Sequence, residues 1–313
     1  MKALIRFIIL WGTVAIGTIF VGRYLTTYWK QLDFTMTPEN IRLLIVALVL
    51  YCVGMLMLPI GAWVMQRWLG YRLTAMVMWR SFYLAQLSKY LPGGIWSIVG
   101  RAFLFTQNGI SRQDSGALVI LEIIGLVMGS AVVGLFSLPV LLPLVLQAEL
   151  WVFILLILLF LGGVAVLYIF RQRWLPAFKA VKLLSFAAVC GIYALNWVLL
   201  GFAFAFISIA LKLPLSVGDI IILIGVHAIA WLVGFVVVFA PGGIGVRDAI
   251  LAAGLLAFMP MPYPVIISVL ARIAWTLGEV ISLVIILVIG QINARFFRRD
   301  TPDNVSSETT SQP

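Results

Sequence analysis

The sequence predicts an all-α polytopic membrane protein: about six full spans and two broken, re-entrant helical hairpins in an inverted-repeat arrangement. Three observations predict it. Of 313 residues, 64% are apolar and only 10% are charged, whereas soluble domains are about half apolar and about a quarter charged. Six apolar runs reach the roughly 20 residues a helix needs to cross a bilayer. Two further apolar regions are each interrupted near the middle by Pro-Gly-Gly. The same composition excludes a disordered chain and a secreted disulfide scaffold. No polar stretch between the apolar runs is long enough for a soluble domain, so the membrane bundle is the protein.

The first run, residues 3–21, begins with Lys2 and Arg6 in the manner of a signal peptide. Its apolar stretch is long and no clear A-x-A site follows, so it reads as a retained signal-anchor helix. Further spans fall at 43–65, 115–137, 150–170, 183–211 and 265–290. The broken regions are 74–107, centred on Pro92-Gly93-Gly94, and 219–259, centred on Pro241-Gly242-Gly243. Proline lacks a backbone donor and glycine has no side chain to hold a helix, so each region reads helix, unwound turn, helix. Each either crosses twice or dips in and returns. In the first, the arms are 17 residues (74–90) and 13 residues (95–107). The second arm is short for a core about 30 Å thick at about 1.5 Å per residue, which favours the hairpin. Residues 1–298 form the membrane domain, and 299–313, rich in Thr, Ser, Pro and acids, form a disordered cytoplasmic tail.

Charge orients the bundle. Lysine and arginine near span ends collect in the cytoplasm. With the N-terminus inside and both broken regions re-entrant, 13 of the 21 basic residues are cytoplasmic and four (Arg23, Lys30, Arg42 and Lys212) are outside. The remaining four, Lys89, Arg101, Arg247 and Arg272, are at membrane depth. Both termini are then cytoplasmic in a cell inner membrane, and the two turns point toward each other. Basic residues sitting mostly at ends of apolar runs speak against a nucleic-acid partner. Trp29, Trp68, Trp151 and Trp174 lie near span ends, where interfacial belts form.

Soluble-enzyme motifs are missing. There is no Walker loop and no H-E-x-x-H, and the one histidine, His227, is the only centre for a Ser-His-Asp arrangement. Gly242-Gly243-Ile244-Gly245 lacks the βαβ context of a nucleotide loop. Cys52 and Cys190 fall inside apolar runs and read as inert thiols. We therefore expect no catalysis, no metal and no cofactor.

What remains is intramembrane charge, each residue costing roughly 2.5–3.5 kcal/mol on insertion scales and marking function or pairing. The first cluster holds Ser81, Ser88-Lys89-Tyr90-Leu91-Pro92-Gly93-Gly94-Ile95-Trp96, Arg101 and Glu122. The second holds Pro241-Gly242-Gly243-Ile244-Gly245-Val246-Arg247-Asp248, Arg272 and Glu279. Unwinding at Pro-Gly-Gly frees backbone N–H groups and sets a helix N-terminus at depth, with Arg101 and Arg247 following. Arginine forks match phosphate oxygens, and broken helices with positive ends aimed at an anion mark midplane sites in transporters. A phosphate on a lipid tail fits this chemistry. Beside it stand structural readings: Lys89 at a half-helix C-terminus, Arg247 paired with Asp248, Arg272 with Glu279, and Arg80 snorkelling to the surface. Asn196 reads as a helix–helix hydrogen bond and Asp219 as a helix cap. His227 either carries protons for coupled transport or bonds a neighbouring carbonyl.

These motifs give a resemblance. Ser88-Lys89-Tyr90-Leu91-Pro92-Gly93-Gly94 with Gly100-Arg101, and Pro241-Gly242-Gly243-Ile244-Gly245-Val246-Arg247-Asp248, resemble the flippase-like membrane region of lysylphosphatidylglycerol synthases and its stand-alone relatives, over residues 1–298. The resemblance implies an inner-membrane protein that moves an anionic or aminoacylated phospholipid, or a polyprenyl-phosphate-linked sugar, between leaflets. It also implies a stand-alone form without the synthase domain, so the transferase activity is not carried over. Where the family often places an acid followed by arginine after the first motif, this chain has Glu122-Ile123. Our leading expectation is a flippase in which Arg101 and Arg247 hold the head-group phosphate, assisted by the other residues of the two clusters. Its partners are then the lipid, the membrane, and a glycosyltransferase or lipid synthase that supplies it. The alternatives are a membrane-embedded lipid-phosphate transferase with Glu122, Asp248 or Glu279 as general base, and a non-transporting partner of a glycosyltransferase.

Overall fold

The computed structural model describes residues 23, 37–90, 95–138, 182–211, 214–236 and 245–299. The spans expected at 3–21 and 150–170, both Pro-Gly-Gly turns and the tail beyond Arg299, which itself ends the last helix, lie outside the described residues. Among those described, every regular element is helical.

Helix α1 (Pro38–Trp68) starts where Thr37 Oγ1 accepts the Asn40 N–H at 3.2 Å and where Pro38 needs no backbone donor. Its buried face carries Tyr51, Met55, Leu58, Ala62 and Met65, and its exposed face carries Ile41, Ile45, Val49 and Val53. A helix apolar on every side belongs in lipid. Next come α2 (Ala75–Gln86), a 3₁₀ turn (Leu87–Tyr90) and α3 (Trp96–Gln107). The expected arms of the first broken region are these elements, each helix only 12 residues long, and α2 and α3 pack against each other. Then follow α4 (Arg112–Gly134), α5 (Leu183–Ala210), α6 (Val217–Val236), α7 (Val246–Leu255) and α8 (Tyr263–Arg299).

Five of these helices are long and apolar enough to cross a membrane, namely Pro38–Trp68, Arg112–Ser137, Leu184–Ala210, Val217–Phe235 and Tyr263–Ile292. Four coincide with expected spans. The fifth is the first arm of the second broken region, so its arms are unequal, 20 residues in α6 against 10 in α7. The reason is local. Ser216 and Asp219 cap α6 at its start, and the apolar run then continues unbroken until Pro241.

Helix α5 is the hub, touching α1, α4, α6 and α8. Its fully buried Tyr193 is wedged between glycines of two neighbours, Gly61 on α1 and Gly125 and Gly129 on α4. A Cβ at Gly129 would lie 2.8 Å from the Ala194 backbone nitrogen, so only glycine permits this approach. The loop after α1 is fixed by buried Gln66, whose Nε2 donates to Leu73 O at 2.8 Å while its Oε1 accepts from Leu73 N at 2.9 Å. Tyr71 Oη donates to Asp114 Oδ2 at 2.8 Å. The two loops flanking α2 and α3 are thereby tied together at one end of the bundle.

Candidate functional site

The charged residues at membrane depth fall into two groups. In the first, Arg101 on α3 donates from Nη1 to Glu122 Oε1 on α4 at 2.7 Å and from Nε to Ser97 O at 3.3 Å. Its guanidinium sits 5.1 Å from the centroid of the Phe82 ring. Both partners are buried. The acid at 122 thus finds its arginine on the preceding helix rather than at the next position.

The second group joins the two broken regions. Helix α8 brings Arg272, Trp275 and Glu279 to one face, since residues three, four and seven apart align on a helix. Glu279 Oε1 accepts from Lys89 Nζ in the 3₁₀ turn, from Gln86 Nε2 at 3.4 Å and from Trp275 Nε1 at 3.0 Å. Asp248 Oδ2 accepts the Gly245 N–H at 3.0 Å and lies 3.2 Å from Arg272 Nε. Gly245 has φ of +85°, a conformation costly for other residues, and it turns the chain into α7. The structure therefore pairs Arg272 with Asp248 and Lys89 with Glu279. The pairings offered by sequence proximity, Arg247 with Asp248 and Arg272 with Glu279, give way to partners on other elements.

Arg247 stands apart. It is only 4% exposed. Its guanidinium lies 3.9 Å from the centroid of the Trp275 ring, and Nη2 is 3.4 Å from His227 Nε2. Among the described residues no carboxylate oxygen comes within 4.0 Å of it, and its Nε has no hydrogen-bond partner. Tyr51, Phe204 and Trp275 close around the His227 ring with centroids 5.9, 5.4 and 5.9 Å away. Trp197 backs this aromatic wall, 4.4 Å from Trp231 and 6.4 Å from Trp275.

Lys89, Arg247, Asp248, Arg272 and Glu279 are thus brought together, whereas Arg101 and Glu122 form a separate, balanced pair. The side chain of Tyr90 and residues Pro92, Gly93, Gly94, Pro241, Gly242 and Gly243 lie outside the described residues. Asp219 is a cap, its Oδ2 accepting from Ser216 N at 2.8 Å. Asn196 corrects an expectation: it is fully buried, yet neither side-chain polar atom has a hydrogen-bond partner among the described residues. Sequence reasoning missed Trp275, Tyr51 and Gln86. Trp275 carried a usable signal, being one helical turn before Glu279; Tyr51 and Gln86 carried none.

A family model for the lysylphosphatidylglycerol synthase TM region matches residues 4–281. The chain belongs to that family. Comparison with curated proteins returns no match. The family and the long apolar helices together make this a multi-pass membrane protein with a lipid-related role. Within this family member, the second group holds three cations against two carboxylates, counting Lys89, Arg247 and Arg272 against Asp248 and Glu279. Such a centre attracts an anion more strongly in low dielectric than at a surface.

Proposed function

We propose that the protein is a lipid flippase or translocase. It holds the phosphate of an anionic lipid at the second charged group and passes it between leaflets without chemistry of its own. The observation that supports this most directly is Arg247: a buried guanidinium with no carboxylate oxygen within 4.0 Å among the described residues is costly unless an anion meets it. Lys89 and Arg272 stand beside it as further donors. Arg101 is balanced by Glu122, so Arg247 carries the reading more than Arg101 does. The substrate class is an anionic or aminoacylated phospholipid, or a polyprenyl-phosphate-linked sugar, supplied by a synthase or glycosyltransferase. Glu122, Asp248 and Glu279 each engage a cation, which favours transport over a reaction needing a free general base.

In this proposal α2 and α3 form a re-entrant hairpin, because 12 residues span only about 18 Å of a core about 30 Å thick. The second region pairs the longer α6 with the short α7, and rocking of the two broken regions about the site exposes it alternately. With both broken regions returning to the side they enter, the basic-residue count supports cytoplasmic termini.

Native mass spectrometry with lipids retained tests the assignment. Wild type should carry a phosphate-bearing lipid that Arg247→Gln loses by roughly ten- to a hundredfold, as expected for one charge-assisted hydrogen-bonding group. Arg247→Lys should retain part of it. An identical lipid profile in all three would overturn the proposal.

A further inference from the structure

We propose that anion movement is coupled to a proton carried by His227, an inference that rests on Arg247 as the anion's ligand. His227 is the chain's one histidine and has no exposed surface. Side chains from the helices around it enclose the ring: Tyr51 from α1, Phe204 from α5, Arg247 from α7 and Trp275 from α8. From α4, Ser130 Oγ donates at 2.9 Å to the carbonyl of Ala228, the next residue. Asp248, Arg272, Glu279 and Lys89 act on this centre through Arg247, with which each interacts electrostatically.

Arginine only donates hydrogen bonds. The contact from Arg247 Nη2 to His227 Nε2 therefore requires a lone pair on Nε2, and the ring hydrogen sits on Nδ1. Nδ1 has no partner among the described residues. While Arg247 lacks an anion, a proton on Nε2 would set two donors and two like charges in contact in apolar surroundings, which is strongly unfavourable. An anion seated on Arg247 reverses this. It supplies the missing negative charge, draws the guanidinium hydrogens toward itself, and leaves Nε2 free to take a proton.

Anion and proton thus each favour the other's binding, and the linkage is reciprocal. The proton comes from water on the side where the head group enters and leaves where it exits, forming and breaking one N–H bond. For a singly charged phosphodiester, the loaded site carries the same net charge as the empty one. The penalty for moving net charge through hydrocarbon is then avoided.

The test uses purified protein in detergent with phosphatidylglycerol as the probe. Its phosphodiester keeps one charge across the range, whereas a phosphomonoester titrates near about pH 6. Binding is measured from about pH 5 to about pH 8, where histidine changes charge. Because the bound anion favours protonated His227, wild-type affinity should be greatest at low pH and fall as pH rises, by up to about tenfold per unit. Weakly buffered solution should show up to one proton taken up per lipid bound. His227→Gln offers Arg247 an acceptor without titrating, so it should bind with neither pH dependence nor proton uptake.

Wild-type binding that ignores pH, or an equal slope in His227→Gln, would overturn the coupling and leave the anion site standing. Wild type that binds no phosphatidylglycerol at any pH would overturn the anion site and the coupling with it. Proton uptake by wild type reads the linkage without any variant, so a poorly folding His227→Gln does not obscure the outcome.

Discussion

Arg101 and Arg247 are the same side chain in opposite electrostatic circumstances. Arg101 faces a carboxylate at 2.7 Å, so deleting either partner leaves one buried charge unbalanced, at a cost of about 3–5 kcal/mol. Arg101→Leu should therefore lower thermal stability sharply in detergent, and adding Glu122→Leu should recover most of the loss, because a buried pair replaced by apolar residues is often neutral. A double variant as unstable as the single would show that the pair is not the source of the cost. Arg247 has no such partner among the described residues, and removing it relieves a buried charge while giving up its contact with Trp275, worth up to about 2 kcal/mol. Delipidated Arg247→Met should unfold at or above the wild-type temperature while losing the lipid, the signature of a residue retained for function at the expense of stability. A marked drop in its unfolding temperature would recast Arg247 as structural.

At the scale of elements, close helix packing is set by glycines, and α4 offers an internal control. Gly129→Ala would drive a Cβ against the Ala194 backbone and should destabilise by about 1–3 kcal/mol. Gly116→Ala on the same helix meets nothing within 4 Å and should be neutral or stabilising by up to about 1 kcal/mol, because alanine favours helix. Thermal unfolding of both variants checks the contrast; equal effects would argue against this register of α4 on α5. The elements were the most legible part of the sequence. Apolar length located α1, α4, α5 and α8, and the Pro-Gly-Gly breaks located α2, α3 and α7. Pairing was less legible, because proximity along the chain pointed to Arg247–Asp248 and Arg272–Glu279, whereas Lys89 meets Glu279 across 190 positions. The Gln66 clamp on Leu73 left no trace in the pattern either, since one glutamine in an apolar helix looks the same whether it faces a loop or a lipid. Asn196 shows the converse: its type implied a partner that none of the described residues supplies.

For the whole molecule, the ion pair between Lys89 and Glu279 makes the site a junction between the first broken region and the last long helix. On the proposed rocking mechanism α2 and α8 must move apart, because α2 leads directly into the turn that holds Lys89. The two helices also touch well away from the charges, where a Cβ at Gly290 would lie 3.6 Å from Met76 Sδ. Met76→Cys with Gly290→Cys, in a background where Cys52→Ser and Cys190→Ser remove the native thiols, places a cross-link at that contact without altering the site. A short bismaleimide bridge should stop lipid movement in proteoliposomes while leaving lipid binding intact, and the uncross-linked protein should transport normally. Binding should survive because Arg247, His227 and Trp275 lie on α7, α6 and α8, and the bridge holds α2 where Lys89 already meets Glu279. Undiminished transport after complete cross-linking would mean that α2 and α8 move as one body. The opening would then have to come from α6 and α7.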